Sequence, residues 1–178
     1  MPRRVLNKLL LALITLIFFS CNGGLEPTPP LIEPTGFSGR VIFKGNWPEG
    51  IKRTHLVAFK NPLQTAADFF PPNLSIIMDS IAYGTREHSY NSIYDNFFKG
   101  SSIEPRNYSY VVVAQSKSAS LSLLRSDWTV AGVYYAGIDT TAPGVLKIVK
   151  DRMTKEINII CDFNNPPPQP PGGTAKKN

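Results

Sequence analysis

The sequence predicts an all-β fold, a single antiparallel β-sandwich of about seven to eight strands. Three observations carry that expectation. Short runs rich in β-branched and aromatic residues recur from residue 39 to residue 163, with Gly, Pro, Asn and Ser between them. Helical signal is thin, and no stretch sustains an amphipathic 3.6-residue period. Both ends of the chain are too rich in Pro and Gly to build core elements, which confines the strands to one domain.

The elements follow in order. Gly39-Arg40-Val41-Ile42-Phe43-Lys44 reads as the opening strand and stops at Gly45; Thr54 to Lys60 reads as the second and stops before Pro62. Asn73 to Tyr83 is apolar but irregular, and His88 to Tyr94 alternates. Tyr108 to Gln115, with Val111-Val112-Val113 at its centre, is the strongest strand. Thr129 to Ala136, Val145 to Val149 and Glu156 to Phe163 complete the set. Leu63 to Phe70 has room for one or two helical turns before Pro71-Pro72, and Ser116 to Trp128 for a short turn. Period-2 alternation directs Val41, Phe43, Val57, Phe59, Tyr108, Tyr110, Val112, Ile157, Ile159 and Phe163 inward between two sheets.

The N-terminus has the form of a secretory signal: Arg3, Arg4 and Lys8, then an apolar run from Leu9 to Phe19, then Ser20 and Cys21. That run falls short of the about 20 apolar residues a membrane-spanning helix needs. A cysteine directly after a small residue resembles the bacterial lipoprotein signal. The resemblance implies that Cys21 receives lipid and becomes the first residue of the mature chain, anchored by more than one acyl chain. With Asn22 next and no acidic run after it, resemblance to known sorting signals implies the outer membrane, facing the periplasm. The expected layout is therefore a signal peptide at 1–20, a Pro/Gly tether at 21–35, the β domain at 36–165 and a disordered Pro-rich tail at 166–178.

Signal removal changes the charge argument. The whole chain carries 19 basic and 13 acidic residues; losing Arg3, Arg4 and Lys8 leaves a net charge of +3. No basic block remains to suggest nucleic acid. With Cys21 acylated, Cys161 has no partner in the chain, so a disulfide framework is excluded for the mature monomer.

Gly39-Arg40-Val41-Ile42-Phe43 resembles the opening strand of carboxypeptidase regulatory-like domains, which belong to the transthyretin-like (prealbumin-like) sandwiches. Ile103 to Ala114, with Pro105 and Tyr108, looks like that family's Leu-Pro-Pro-Gly-Thr-Tyr turn running into a central strand. Ile157 to Phe163 resembles its closing strand. The layout, with Trp47-Pro48 and Trp128 ahead of Tyr134-Tyr135, is also similar to small lipoproteins of Bacteroidetes and Chlorobi-type bacteria. These resemblances imply location and fold, not activity. The hydroxyisourate hydrolases of the transthyretin-like fold end in Tyr-Arg-Gly-Ser and use several histidines; this chain has neither feature.

Candidates for chemistry are few. Alternation puts Cys161 on the core face with Ile157 and Ile159, where a thiol acts as a small hydrophobe. His55 and His88 read as strand-edge surface residues, and neither shares a metal-ligand spacing with Cys161. The carboxylates are dispersed and form no calcium loop, so no metal or other cofactor is expected. Ser80 and Thr140 stand in the triplets Asp79-Ser80-Ile81 and Asp139-Thr140-Thr141, which resemble the Asp-Ser/Thr-apolar O-glycosylation site of Bacteroidetes. Phe69, Phe70, Tyr94, Phe97 and Phe98, in the long connections of residues 61–102, are the candidate partner-binding residues, because exposed rings beside Asn and Asp suit sugar stacking or a protein contact. The functional expectation is a non-catalytic, membrane-anchored envelope lipoprotein that binds a protein or glycan partner. The alternatives are a purely structural envelope module and an envelope hydrolase whose site assembles from distant residues.

Overall fold

The computed structural model describes residues 32–172. The signal segment, Cys21, the tether as far as residue 31 and the last six residues lie outside the described residues. Strands dominate: β1 (Gly36–Lys44), β2 (Arg53–Phe59), β3 (Leu74–Ile77), β4 (Glu87–Asn91), β5 (Asn107–Tyr108), β6 (Tyr110–Ser116), β7 (Trp128–Val133), β8 (Leu146–Lys147), β9 (Met153–Thr154) and β10 (Ile159–Asp162). Two 3-10 turns, Ala66–Phe69 and Arg125–Asp127, stand where the sequence leaves room for short helical turns.

Seven strands form one sheet in the order β3-β2-β6-β7-β10-β1-β4; β9 adds to β1, and β5 pairs separately with β8. The expectation of a purely antiparallel sheet is corrected here. β10 runs parallel to β1, Val41 opposite Ile159 through Lys44 opposite Asp162. The closing strand arrives between β7 and the opening strand, antiparallel to the first and parallel to the second, so the sheet is mixed. The close seam has a visible cause. A Cβ at Gly39 would stand 2.1 Å from the Ile157 carbonyl oxygen, so only glycine lets β1 approach there.

The main core gathers Phe37, Val41 and Phe43 from β1, Leu56 and Ala58 from β2, Val111 and Val113 from β6, and Ile159 and Cys161 from β10. Strands distant in the ladder order share one cluster, so the sheet curls around it. A second cluster covers the opposite face of β2, β6 and β7, with Val57, Phe59, Tyr110, Val112 and Val130. The inward-facing set read from alternation is therefore buried but divided, except for Phe163, which is partly buried against the first cluster. Val41, Phe43, Tyr108, Ile157 and Ile159 belong to the first cluster; Val57, Phe59, Tyr110 and Val112 belong to the second. β2 and β6 are covered on both faces, which is why Val111-Val112-Val113 has no polar member. At β10 the alternation is kept: Ile159 and Cys161 are buried, while Ile160 is 51% exposed.

Both ends of the described chain are tied to the domain. Glu33 accepts a hydrogen bond from the Met153 backbone N–H and pairs with Lys155, and the Thr35 hydroxyl accepts from the Asp151 N–H. β10 meets β7 at Ile160 and Val133, leaving the backbone of Val130 open on that side. Gln169 fills the opening. Its Oε1 accepts from Val130 N–H at 2.8 Å and its Nε2 donates to Val130 C=O at 2.9 Å. The Pro-rich end, expected to be disordered from residue 166, makes these contacts through Gln169 and Pro170.

Candidate functional site

The second face of the sheet carries a cavity of about 60 Å³. Val57, Ile77, Val112, Ala114 and Val130 form an apolar floor, with Phe69 and Leu74 on one side and Leu121, Ser122 and Leu123 on another. Besides Ser122, the polar residues His55 and Arg125 belong to this largely apolar lining.

His55 sits in β2, which runs between β3 and β6, and is 1% exposed. The reading of His55 as a strand-edge surface residue is overturned, because β2 is an interior strand covered on both faces. His88 does lie on an edge strand, β4. The Nδ1 of His55 is 2.8 Å from the Met78 carbonyl oxygen. A carbonyl only accepts, so Nδ1 carries the proton and Nε2 presents a lone pair. That Nε2 is buried without a partner. The rings of Trp128 and Phe97 flank the imidazole edge-on, at 5.9 and 6.1 Å between centroids. Burial, assisted by the Arg53 charge, lowers the imidazole pKa, partly opposed by the Met78 hydrogen bond.

Arg125 opens the second 3-10 turn and is 5% exposed. Its guanidinium lies over the Phe69 ring, 4.3 Å from the centroid. One terminal nitrogen donates to the Trp128 carbonyl, and the other donates to the Pro170 carbonyl at 3.0 Å. Nε is buried with no partner. No carboxylate among the described residues pairs with this cation. Burial lowers its pKa, but a guanidinium stays charged at neutral pH.

The five rings read from sequence divide into two groups. Phe69 packs edge-on against Phe59 and lines the cavity; Phe70, next to it, is partly exposed. Tyr94, Phe97 and Phe98 stand together in the connection after β4. Phe97 leans on His55, and Phe98 is edge-on to Phe97 at 5.3 Å. Tyr94 is 72% exposed and Phe98 55% exposed. Lys99 donates to the Tyr94 carbonyl and pairs with Asp79, fixing the loop from below. No ring pair joins the two groups among the described residues.

Sequence reasoning missed His55, Arg125 and Trp128 as one neighbourhood. Two signals were present: a lone histidine directly before the apolar run Leu56-Val57-Ala58-Phe59, and a lone arginine directly after Leu121-Ser122-Leu123-Leu124. Cys161 is buried and free, and burial raises its thiol pKa well above the usual range. Among the described residues no group of three His, Cys, Asp or Glu is placed to hold a metal ion, and no helix is long and apolar enough to cross a membrane. No family model matches the chain, and neither a curated protein nor a solved structure matches it.

Proposed function

We propose that the chain is a lipid-anchored envelope protein of the outer membrane whose β domain binds a protein or glycan partner without catalysis. The domain is proposed to close as a transthyretin-like sandwich of the carboxypeptidase regulatory kind, with its curled sheet wrapped around the main core. The observation that supports binding is the ring group after β4. Tyr94 and Phe98 turn most of their surface to solvent, while Phe97 holds the loop against His55. Exposed rings on a pinned loop offer large contact area at low entropic cost, which suits a sugar face or a protein hot spot.

The experiment separates the solvent-facing rings from the one that packs. Tyr94→Ala with Phe98→Ala abolishes capture of partners from native envelope extract and leaves unfolding free energy within about 0.5 kcal/mol, as for surface substitutions. Phe97→Ala alone costs about 1 kcal/mol, the scale of a lost ring contact. Undiminished capture by the Tyr94/Phe98 double variant overturns the reading.

A further inference from the structure

We propose that the cavity on the second sheet face binds a small apolar carboxylic acid, its carboxylate at Arg125 and its hydrocarbon body over the Val112 and Val130 floor. The site is independent of the ring surface proposed above.

The argument begins with charge. Arg125 is 95% removed from solvent, by its 5% exposure, yet meets no carboxylate among the described residues. A buried cation is costly unless paired, because carbonyl dipoles and a ring face do not neutralise it. Its bonds to Trp128 and Pro170 use two of the five guanidinium N–H groups. Nε is closed to solvent and has no partner, so the N–H groups left over on the two terminal nitrogens are the donors a carboxylate takes.

A purely structural role, Arg125 clamping Pro170 to the end of β7, accounts for the terminal nitrogens. It does not account for the cavity that Arg125 lines, or for a second buried polar atom without a partner on a residue of the same lining. That atom, Nε2 of His55, is an acceptor. It repels a carboxylate and so orients the ligand: the acid group lies at Arg125 and the apolar body extends toward His55. The volume of about 60 Å³ limits the enclosed part to a few heavy atoms, and Leu123, largely exposed at the rim, leaves room for a longer body to continue outward. Amides, alcohols and amines lack the charge that Arg125 requires.

The chain carries its own reporter, because it has two tryptophans in different surroundings. Trp128 lines the cavity and its indole N–H donates to Ser122, another lining residue, at 2.8 Å. Trp47 packs with Phe43, Tyr83 and Phe163. The full chain in phospholipid nanodiscs, labelled with fluorotryptophan, therefore gives two fluorine resonances. Hexanoate is expected to shift the Trp128 line saturably, with a Kd on the order of 1 mM, and to leave the Trp47 line in place. Hexanol is expected to bind about tenfold more weakly or worse, since it lacks the charge.

Ala114→Leu, which fills the floor, is expected to remove the hexanoate shift. Arg125→Met is expected to erase the preference for hexanoate over hexanol. An unchanged Trp47 line certifies that each variant is folded. The proposal is overturned if hexanoate leaves the wild-type Trp128 line unmoved, if hexanol matches hexanoate in the wild type, or if a folded Ala114→Leu binds as before. It is also overturned if a folded Arg125→Met keeps the preference. The wild-type comparison needs no variant, so a variant that fails to fold does not rescue it.

Discussion

At the scale of single residues, His55 has one ring nitrogen bonded and the other bare, directly before the apolar run Leu56 to Phe59. Its pKa is lowered from 6.5, chiefly by burial. The unfolded chain then takes up the proton first as pH falls. Stability from this group is complete above about pH 6.5 and is lost progressively below it, until the folded-state pKa is passed. The carboxylates of Glu33, Asp68, Glu104 and Asp139 are lowered by their hydrogen bonds, and their losses begin only at the lower pH of unfolded carboxylates. Thermal midpoints should therefore decline between about pH 7 and pH 5 in the wild type, and His55→Gln, neutral throughout, should flatten that decline. A wild-type midpoint constant over the window contradicts the assignment. Only the anomaly is legible from the sequence, a lone histidine beside an apolar run; whether a neighbouring strand covers it is not. The opposite holds for Cys161, whose alternation with Ile157 and Ile159 does report its burial.

At the scale of elements, strong β character was readable wherever a strand is long and apolar, as in β1, β2, β6 and β7. The face of each residue was not. Alternation assigns partners within a strand, but β2 and β6 are apolar on both faces, so no polar face marks which side is the main core. Two-residue strands such as β9 leave no period to detect; β9 exists because Gly36 and Phe37 lie alongside Met153 and Thr154. The Pro-rich end shows a third limit. Its composition denies it secondary structure, yet a single glutamine amide can still substitute for a missing strand partner. Gln169 satisfies both backbone groups of Val130. Gln169→Ala should cost about 1 kcal/mol or somewhat more, since it removes two hydrogen bonds beside a buried residue. The Val130 amide should lose protection from hydrogen exchange relative to its neighbours in β7. Unchanged protection at Val130 would show that water satisfies it equally well.

At the scale of the whole molecule, the strand-rich class was legible and the path of the sheet was not. Parallel pairing of β1 with β10 joins residues far apart in the chain, and nothing local in either strand announces it. The rings after β4 were legible as candidates because they fall in a long connection; the cavity was not, because its polar residues come from β2 and from the turn before β7. The placement of the domain rests on the other end of the chain. Among the described residues Glu33 and Thr35 are the first tied to the domain, and the sequence from Asn22 to Leu31 lies between Cys21 and the described residues. Ten residues give a reach of up to roughly 30 Å when extended, enough, if Cys21 is lipidated, to hold the domain clear of lipid headgroups. If Cys21 carries more than one acyl chain, anchoring is stable, because each buried CH₂ contributes about 0.8 kcal/mol. The wild type should then incorporate labelled fatty acid and partition into the detergent phase on extraction. Cys21→Ala should lose both properties, while its unfolding free energy stays that of the wild-type domain. Acyl labelling that persists in Cys21→Ala rules out this cysteine as the lipid site. A wild type that leaves with the aqueous phase would refute the anchor, and the ring surface would then serve a secreted domain.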